Sequence, residues 1–232
     1  MTVLIAGGDS FTYGSELPSQ DHAWANLLAT RKGWNICNTA KPGYSNSAIR
    51  RNVMNAVHKY RELDLFVAVM WSFPNRYEFR FAYDTGHKES PWYSLNPFTP
   101  PKHTSPEHIA NAESKGITDF ANSYVKNIAI SEYWEIYNSL CEIVMLQNYL
   151  AKHNINYAFM TVDHTIFKPN IDTDTSLKTL YSDIDMSKFI DQEGMFTWAQ
   201  RTQQPFYATH PRESAHAEWI NMLYDRIDHG HT

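Results

Sequence analysis

The sequence predicts an α/β protein whose central sheet is mostly parallel and is covered by helices on both faces. Two apolar runs indicate strands, one from Val3 to Ala6 and a longer one from Leu65 to Trp71. An unbroken apolar run is typical of a strand buried on both faces, as in parallel sheets. Strand-like and helical segments also alternate over the first part of the chain, which predicts parallel strands joined by right-handed crossovers.

Length and composition restrict the class of protein further. The chain has 232 residues, of which 43% are hydrophobic, and this suits a single domain over residues 1–232 with a well-filled core. Its formal net charge of -5 argues against a nucleic acid partner. No apolar stretch in the sequence has the roughly 20 residues needed to span a bilayer, and the N-terminal run is shorter than that of a signal peptide. We therefore expect a cytoplasmic protein without membrane contact, and the sequence leaves its oligomeric state open.

Three elements between the two apolar runs follow from apolar spacing and capping residues. Asp21 is placed to cap a helix that ends near Thr30, and residues 34–37 are predicted to form a short strand. A helix from about Asn46 to Tyr60 carries apolar residues on one face. The predicted order of elements is therefore strand, helix, strand, helix, strand.

The segment of residues 72–128 differs in composition from the rest of the chain. It contains closely spaced prolines between Pro91 and Pro106, together with aromatic residues such as Trp92 and Phe98. Proline disrupts helices and central strands, whereas aromatic residues are rare in disordered segments. We therefore expect an insertion after the third strand, which either contacts substrate or only covers the sheet.

The remaining part of the chain adds helices and a further strand. Residues 130–152 have apolar residues at helical spacing, and residues 157–160 are predicted to form a fourth strand of a sheet of about five. Proline is favoured in the first turn of a helix, so Pro211 predicts a final helix that runs to about Ile227 with His210 as its N-cap. Residues 163–200 indicate only a loop and a short helix.

Ser10 stands where the first strand is expected to turn into a helix. Gly7 and Gly8 allow the chain to leave the strand sharply, and open parallel sheets bind ligands beyond the carboxyl ends of their strands. Such a position can expose a nucleophilic hydroxyl. An ordinary turn with a helix cap also explains these residues, because Asp9 and Ser10 both favour such places.

Three sequence blocks resemble those of the SGNH (GDSL-type) hydrolases. They are Gly8-Asp9-Ser10 after the first strand, Gly43 in the loop after the second strand, and His210-Pro211 before the last helix. The resemblance spans nearly the whole chain. It implies a three-layer α/β/α, flavodoxin-like SGNH fold and a serine esterase in which Ser10 is the nucleophile and His210 is the base.

The resemblance also implies an oxyanion hole, a set of donors that bind the charge developing on the substrate carbonyl oxygen. The donors would be the Ser10 and Gly43 N–H groups and the side-chain amide of Asn75. Asn75 stands about one residue from the asparagine position of the family's Gly-x-Asn-Asp block, and Ser72 is the alternative. Asp9 is expected to organise the loop by accepting local hydrogen bonds.

The chain departs from the family at the residue that supports the histidine. The family has an aspartate three residues before this histidine, whereas this chain has Tyr207 there. Glu213 and Asp163 are candidate replacements, although Glu213 also fits a helix-capping residue and Asp163 an ordinary turn residue. A Ser-His dyad oriented by a backbone carbonyl is the remaining option. Disabling the acid of a serine triad can cost on the order of 10⁴ in turnover.

Two functional classes follow from these observations. The first is a serine esterase acting on a small ester, such as an O-acetylated carbohydrate, with no cofactor and no metal, since the histidines and cysteines match no zinc spacing. The second is a binding or structural protein that keeps the fold but has lost efficient catalysis, as Tyr207 suggests. The Trp71-Ser72 pair is similar to the third block of members encoded by tailed bacteriophages, which implies a virion-associated protein.

Overall fold

The computed structural model describes residues 1–80, 92–95, 117–167 and 174–229. The strands within these residues are β1 (Val3–Gly7), β2 (Asn35–Asn38), β3 (Leu65–Trp71), β4 (Tyr77–Arg80), β5 (Trp92–Leu95) and β6 (Asn156–Thr161). Four of them form a parallel sheet in the order β2-β1-β3-β6, and β4 pairs with β5 in a separate antiparallel sheet. The interior strand β1 therefore carries its carboxyl end to the middle of the sheet edge.

The helices of the described residues are α1 (Ser10–Tyr13), α2 (Trp24–Lys32), α3 (Asn46–Tyr60), α4 (Ile117–Tyr124), α5 (Glu132–Lys152), α6 (Thr175–Ser182), α7 (Met195–Arg201) and α8 (Glu213–His229). A π-helical turn, Val125–Ala129, follows α4. Serine caps start the two helices on one face of the sheet: Ser45 accepts from the N–H of Ala48 in α3, and Ser131 accepts from that of Trp134 in α5. Both starts agree with the predicted segments to within two residues.

Helices cover both faces of the parallel sheet, so the predicted three layers are present. On one face, α3 and α5 bury apolar side chains such as Ile49, Val53 and Leu140 against the strands. On the other face, α2, α7 and α8 contribute Leu28, Trp198 and Trp219. All seven side chains of β3 are buried, as its unbroken apolar run predicted. The α/β class and the mostly parallel sheet are confirmed.

The number of strands is smaller than predicted. The described residues form four strands of the central sheet, where about five were expected. Next to β6, the described residues make a single parallel bridge, between Phe159 and Phe189. A hydrogen bond of 3.0 Å from the Ile190 N–H to the Phe159 carbonyl supports this bridge. The short 3₁₀ turn at Met186–Lys188 directly precedes this bridge, so the segment enters the sheet edge at one point without extending along it.

Two predicted helix starts are wrong. Asp21 lies in a 3₁₀ turn capped by Ser19, and helix α2 begins only at Trp24. The last helix begins at Glu213, because Pro211 is taken up in an antiparallel bridge with Phe206. His210 is therefore not a helix cap but part of the turn that precedes the helix. In both places a neighbouring segment of the chain forms a different local interaction from the predicted cap.

The predicted insertion is described in part. Its prolines Pro91, Pro97, Pro100, Pro101 and Pro106, and Phe98, lie outside the described residues. The described parts form β4, β5 and α4, which bury Tyr77, Leu95 and Ala121 in a small cluster of their own. The role of this segment as an insertion that contacts substrate stays a prediction.

Candidate active site

The two glycines after β1 make room for close packing. A Cβ added at Gly7 would lie 2.4 Å from Val53 Cγ2, and one added at Gly8 would lie 2.0 Å from Thr12 Oγ1. Neither glycine is among those with a positive φ, so close approach explains them better than a special backbone conformation. Because these two glycines have no side chain, the end of β1 packs directly against α3 and α1.

Ser10 is the first residue of α1, and Asp9 is its N-cap. The Asp9 carboxylate accepts a hydrogen bond of 3.0 Å from the Phe11 N–H. The Ser10 side chain is largely buried at 5% exposure, and within the described chain its hydroxyl makes no hydrogen bond, including none to His210. The structure therefore places Ser10 at the predicted turn from strand to helix.

Asp9 is fully buried and joins the end of β1 to the loop after β3. Its second oxygen accepts hydrogen bonds of 2.7 Å from the Ser72 hydroxyl and 2.5 Å from the Arg76 guanidinium. The Ser72 N–H in turn donates to the side chain of buried Asn46 at 2.8 Å. Asp9 thus accepts hydrogen bonds at both oxygens. Both Ser72 donors are engaged, so Ser72 is not a free oxyanion donor.

His210 lies in a turn before α8 and meets the segment that carries Ser10. The Tyr207 N–H donates to the His210 carbonyl at 2.9 Å, which closes the turn. The imidazole packs on the ring of Phe11, with 5.0 Å between the ring centroids. Since Phe11 directly follows Ser10, the two predicted catalytic residues belong to one local cluster although they are far apart in sequence.

The residue that holds the His210 turn is Glu16, which the sequence did not indicate. Its carboxylate accepts hydrogen bonds from the Thr209 N–H at 3.0 Å, the Thr209 hydroxyl at 2.9 Å and the His210 N–H at 3.1 Å. Burial acts to raise the pKa of Glu16, but these donors outweigh it and lower the pKa from 4.5 to about 2. Glu16 is therefore an ionised anchor between the two ends of the described chain.

The ring nitrogen Nδ1 of His210 faces this same pair of residues. It lies 2.8 Å from Thr209 Oγ1 and 3.5 Å from Glu16 Oε1. The first distance is a hydrogen bond and the second an ion-pair distance when the imidazole is protonated. The histidine thus has a hydroxyl and a carboxylate on its Nδ1 side.

Phenylalanine side chains cluster around Phe11, the ring on which the imidazole packs. Phe11 makes edge contacts with Phe73 and Phe196 at centroid distances of 6.2 and 6.0 Å, and Phe196 contacts Phe206 at 6.1 Å. Phe11 is buried, whereas the other three rings are partly exposed. The Phe11 ring excludes water from the side of the imidazole that it contacts.

The two other predicted oxyanion donors lie in loops after β2 and β3. Gly43 is exposed and has a φ of +79°, in the left-handed region that favours glycine. Asn75 is half-buried and lines a cavity of about 200 Å³ together with Glu132 and Asp163. In the described chain, neither the Gly43 N–H nor the Asn75 amide donates to a protein acceptor, and no contact joins them to Ser10.

The two carboxylates predicted to support His210 have other partners. Glu213 accepts a hydrogen bond of 2.7 Å from the Tyr207 hydroxyl, and this bond lowers the pKa of Glu213. Asp163 accepts from the Thr165 N–H at 2.7 Å and from the Thr197 hydroxyl at 3.4 Å. Within the described residues neither makes a hydrogen bond with His210, because Glu213 opens α8 and Asp163 closes the turn after β6.

His216 is a second buried group that sequence reasoning missed. Its Nδ1 accepts a hydrogen bond of 3.2 Å from the Trp24 N–H, so a side chain of α8 caps helix α2. The residue is only 1% exposed. Burial, assisted by nearby His210, lowers the pKa of His216 from 6.5 to about 4. The imidazole is neutral at pH 7.

Two further features are absent from the described residues. In that part of the chain, His, Cys, Asp and Glu side chains form no group of three or more that could hold a metal ion. No helix built from those residues has the length and apolar character needed to cross a membrane.

Solved structures with similar folds include several hydrolases. The chain aligns with an esterase, EstA from Pseudoalteromonas sp., inhibited by monoethylphosphonate, at a TM-score of 0.52 and 14% identity over 98% of this chain and 97% of that one. It aligns with TesA at a TM-score of 0.54 and 9% identity over 99% of each chain. A carbohydrate esterase family 2 enzyme with a carbohydrate binding domain, from Corynascus thermopiles (Myceliophthora fergusii), gives 0.51 and 13% over 99% of this chain and 66% of that one.

These likenesses confirm the fold that the sequence resemblance implied, that of the SGNH hydrolases. No curated protein matches the chain. A model of one protein family matches residues 13–225, a range that includes Glu16, Thr209 and His210 and begins after Ser10. Because this match covers most of the 232 residues, the chain belongs to that family of unknown function (DUF6071).

Proposed function

We propose that the protein is a serine esterase in which Ser10 is the nucleophile and His210 the general base. The observation that carries this proposal is the packing of the His210 ring on Phe11, the residue next to Ser10, at a centroid distance of 5.0 Å. Hydrogen bonds from the Thr209 and His210 N–H groups to Glu16 hold the histidine there. A fold shared with EstA, whose structure was solved with a phosphonate inhibitor, supports the same reading.

The reaction consists of two acyl transfers. His210 Nε2 takes the proton of the Ser10 hydroxyl as Oγ bonds to the ester carbon, and the carbonyl electron pair moves to its oxygen. When that pair returns, the bond to the alcohol oxygen breaks and the proton on Nε2 passes to the leaving alcohol. Water then attacks the acyl group with His210 again as base, and the carboxylic acid and free Ser10 are released. Ser10 and Nε2 must come within hydrogen-bond reach when substrate binds.

The proposed oxyanion hole uses the N–H groups of Ser10 and Gly43 and the amide of Asn75. The first N–H groups of a helix have no partner inside that helix, so the Ser10 N–H at the start of α1 is suited to this role. Each correctly placed donor typically contributes about 3 kcal/mol to the transition state. Gly43 and Asn75 keep the free donors that the role requires, and substrate binding has to bring them together with Ser10.

The proposed substrate is a small ester, such as an O-acetylated carbohydrate. A shared fold with a carbohydrate esterase family 2 enzyme supports the alcohol part of this proposal. The partly exposed rings of Phe73, Phe196 and Phe206, which form a cluster with Phe11, support it for the acyl part, because a methyl group gains from apolar contact there. The proposed chemistry uses no metal and no cofactor.

Labelling with a fluorophosphonate probe, read by intact mass and peptide mapping, tests the proposal. We expect one covalent adduct on Ser10, no adduct in Ser10→Ala, and hydrolysis of 4-nitrophenyl acetate that is lost in the same variant. Ser15→Ala is the matched control, because Ser15 lies in the same segment and is expected to leave the adduct on Ser10 unchanged. A folded protein whose Ser10 stays unlabelled would refute the esterase and favour the reading as a binding protein.

A further inference from the structure

We propose that Glu16 takes the place of the missing triad acid and positions His210 through the hydroxyl of Thr209. This inference rests on the proposed esterase function, because it assigns the group that orients the base. The carboxylate follows the nucleophile in sequence, whereas the resemblance placed it three residues before the histidine. Glu16 is a positioning residue, since it acts on the reacting atoms through the imidazole.

The donors and acceptors of the cluster allow only one direction for the hydrogen bonds. An ionised carboxylate only accepts, so the Thr209 hydroxyl donates its single proton to Glu16 Oε1 at 2.9 Å. The Thr209 oxygen is then an acceptor toward His210 Nδ1 at 2.8 Å, and Nδ1 must carry the proton. In the neutral imidazole this leaves the lone pair on Nε2, the nitrogen that has to take the proton from Ser10.

The charge of Glu16 favours the same arrangement during the reaction. Its Oε1 lies 3.5 Å from His210 Nδ1, and the side chains of Glu16 and His210 are 30% and 15% exposed. A negative charge at this distance stabilises the imidazolium that forms when His210 takes the Ser10 proton. The Thr209 and His210 N–H groups keep the carboxylate ionised.

The backbone at Glu16 is a second, independent observation. Glu16 has a φ of +68°, in the left-handed region that residues with a Cβ adopt at a cost of about 1 kcal/mol or more. Such strained positions concentrate at functional sites, where the surrounding contacts maintain them. Here the strained residue is the one that contacts the His210 turn.

A purely structural role is the competing explanation, because Glu16 also binds two backbone N–H groups. The two roles are separable at Thr209. Thr209→Val removes the hydroxyl and keeps the shape and the backbone N–H bonds to Glu16, whereas Thr209→Ser keeps the hydroxyl. Glu16→Gln keeps an acceptor oxygen and removes the charge. Glu218→Gln, on the exposed surface of α8, is the matched control for a neutralised carboxylate.

Tautomer measurements test the inference without any need for turnover. The ¹⁵N NMR spectrum of His210, recorded in the Ser10→Ala protein at neutral pH, is expected to show the Nδ1–H tautomer. The same tautomer is expected with Thr209→Ser, and a mixture with Nε2–H is expected with Thr209→Val. An Nε2–H tautomer in the parent, or an unchanged spectrum in Thr209→Val, would overturn the inference.

Kinetics give the second readout. Loss of a triad acid lowers turnover by up to about 10⁴, so we expect Glu16→Gln to lower kcat by about 10² to 10⁴ and Thr209→Val by about 10 or more, with KM within about twofold. Thr209→Ser and Glu218→Gln should stay within about threefold.

The results separate this inference from the proposed function. If Ser10 is unreactive but the His210 tautomer depends on Thr209 as expected, the esterase proposal fails and the positioning of His210 by Glu16 stands. If Ser10 is labelled and Glu16→Gln keeps full turnover, the esterase stands and the inference fails. A Glu213→Gln variant that alone reproduced the loss would also overturn it, since the acid would then be Glu213.

Discussion

Replacement of His216 by Asn is expected to remove a specific loss of stability at acid pH. In the folded protein the imidazole is buried and accepts a hydrogen bond from the Trp24 N–H at 3.2 Å. Protonation would place a charge in the core and turn the acceptor Nδ1 into a donor that faces another donor. Burial is the main reason that the pKa of His216 falls to about 4, with His210 adding to the effect and Glu213 opposing it.

The direction and size of the effect follow from proton linkage. Between pH 6.5 and about 4 the unfolded chain binds a proton at His216 that the folded protein does not bind. The stabilisation is therefore complete above pH 6.5 and is lost as the pH falls toward 4. At about 1.4 kcal/mol per pH unit, this histidine removes about 3 kcal/mol of unfolding free energy across the window.

Urea unfolding at pH 7, 6, 5 and 4.5 measures this loss as a difference between wild type and His216→Asn. Asn keeps an acceptor near the Nδ1 position and does not titrate, so the stability advantage of the wild type is expected to shrink by about 3 kcal/mol toward pH 4. Buried Asp191, whose pKa burial raises to about 6, acts in the opposite direction but is common to both proteins. His58→Asn, at an exposed site, gives the reference for loss of an imidazole. A difference between wild type and His216→Asn that does not change with pH would refute the reasoning.

Two further predictions concern the packing around Ser10. Arg76→Met leaves the buried carboxylate of its partner Asp9 without a counter-ion and should cost about 3 kcal/mol of unfolding free energy, whereas Arg201→Met, at an exposed ion pair, should cost much less in the same urea titration. Gly8→Ala places a Cβ 2.0 Å from Thr12 Oγ1 and should cost about 3 kcal/mol, against about 1 kcal/mol for Gly33→Ala, where the added Cβ meets nothing within 4 Å. Equal costs within either pair would contradict the corresponding contact.

The elements that sequence reasoning predicted well are those with local signals. The strand from Leu65 to Trp71 and the helix from Asn46 to Tyr60 were predicted with their observed bounds. The signal for the strand is its apolar run, and the signal for the helix is its apolar stripe and N-cap, so each lies within the segment itself. The start of α2 was predicted wrongly because the Trp24 N–H at this start donates to His216, which is 192 residues away in sequence. The fourth strand of the sheet was predicted from the sequence, whereas the segment that makes the single bridge at Phe189 has no strand pattern.

The candidate site divides in the same way. Ser10 and His210 each stand in a short local motif, so the sequence could indicate both. Glu16 stands in no motif, and its importance depends on a contact with Thr209 that forms only in the folded chain. A carboxylate that binds a turn far away in sequence has no characteristic spacing from that turn, so one sequence does not reveal it. From the sequence, Glu213 and Asp163 were therefore only candidates for the acid, beside a Ser-His dyad without one.

The topology sets the order in which the cluster around Ser10 forms during translation. Strand β1 lies between β2 and β3, so its serine emerges early and its neighbours in the sheet emerge later. The turn that carries His210 is synthesised 194 residues after Glu16. Ser10 is thus synthesised long before the imidazole that the proposed reaction needs, and any hydrolytic power has to wait until α8 docks.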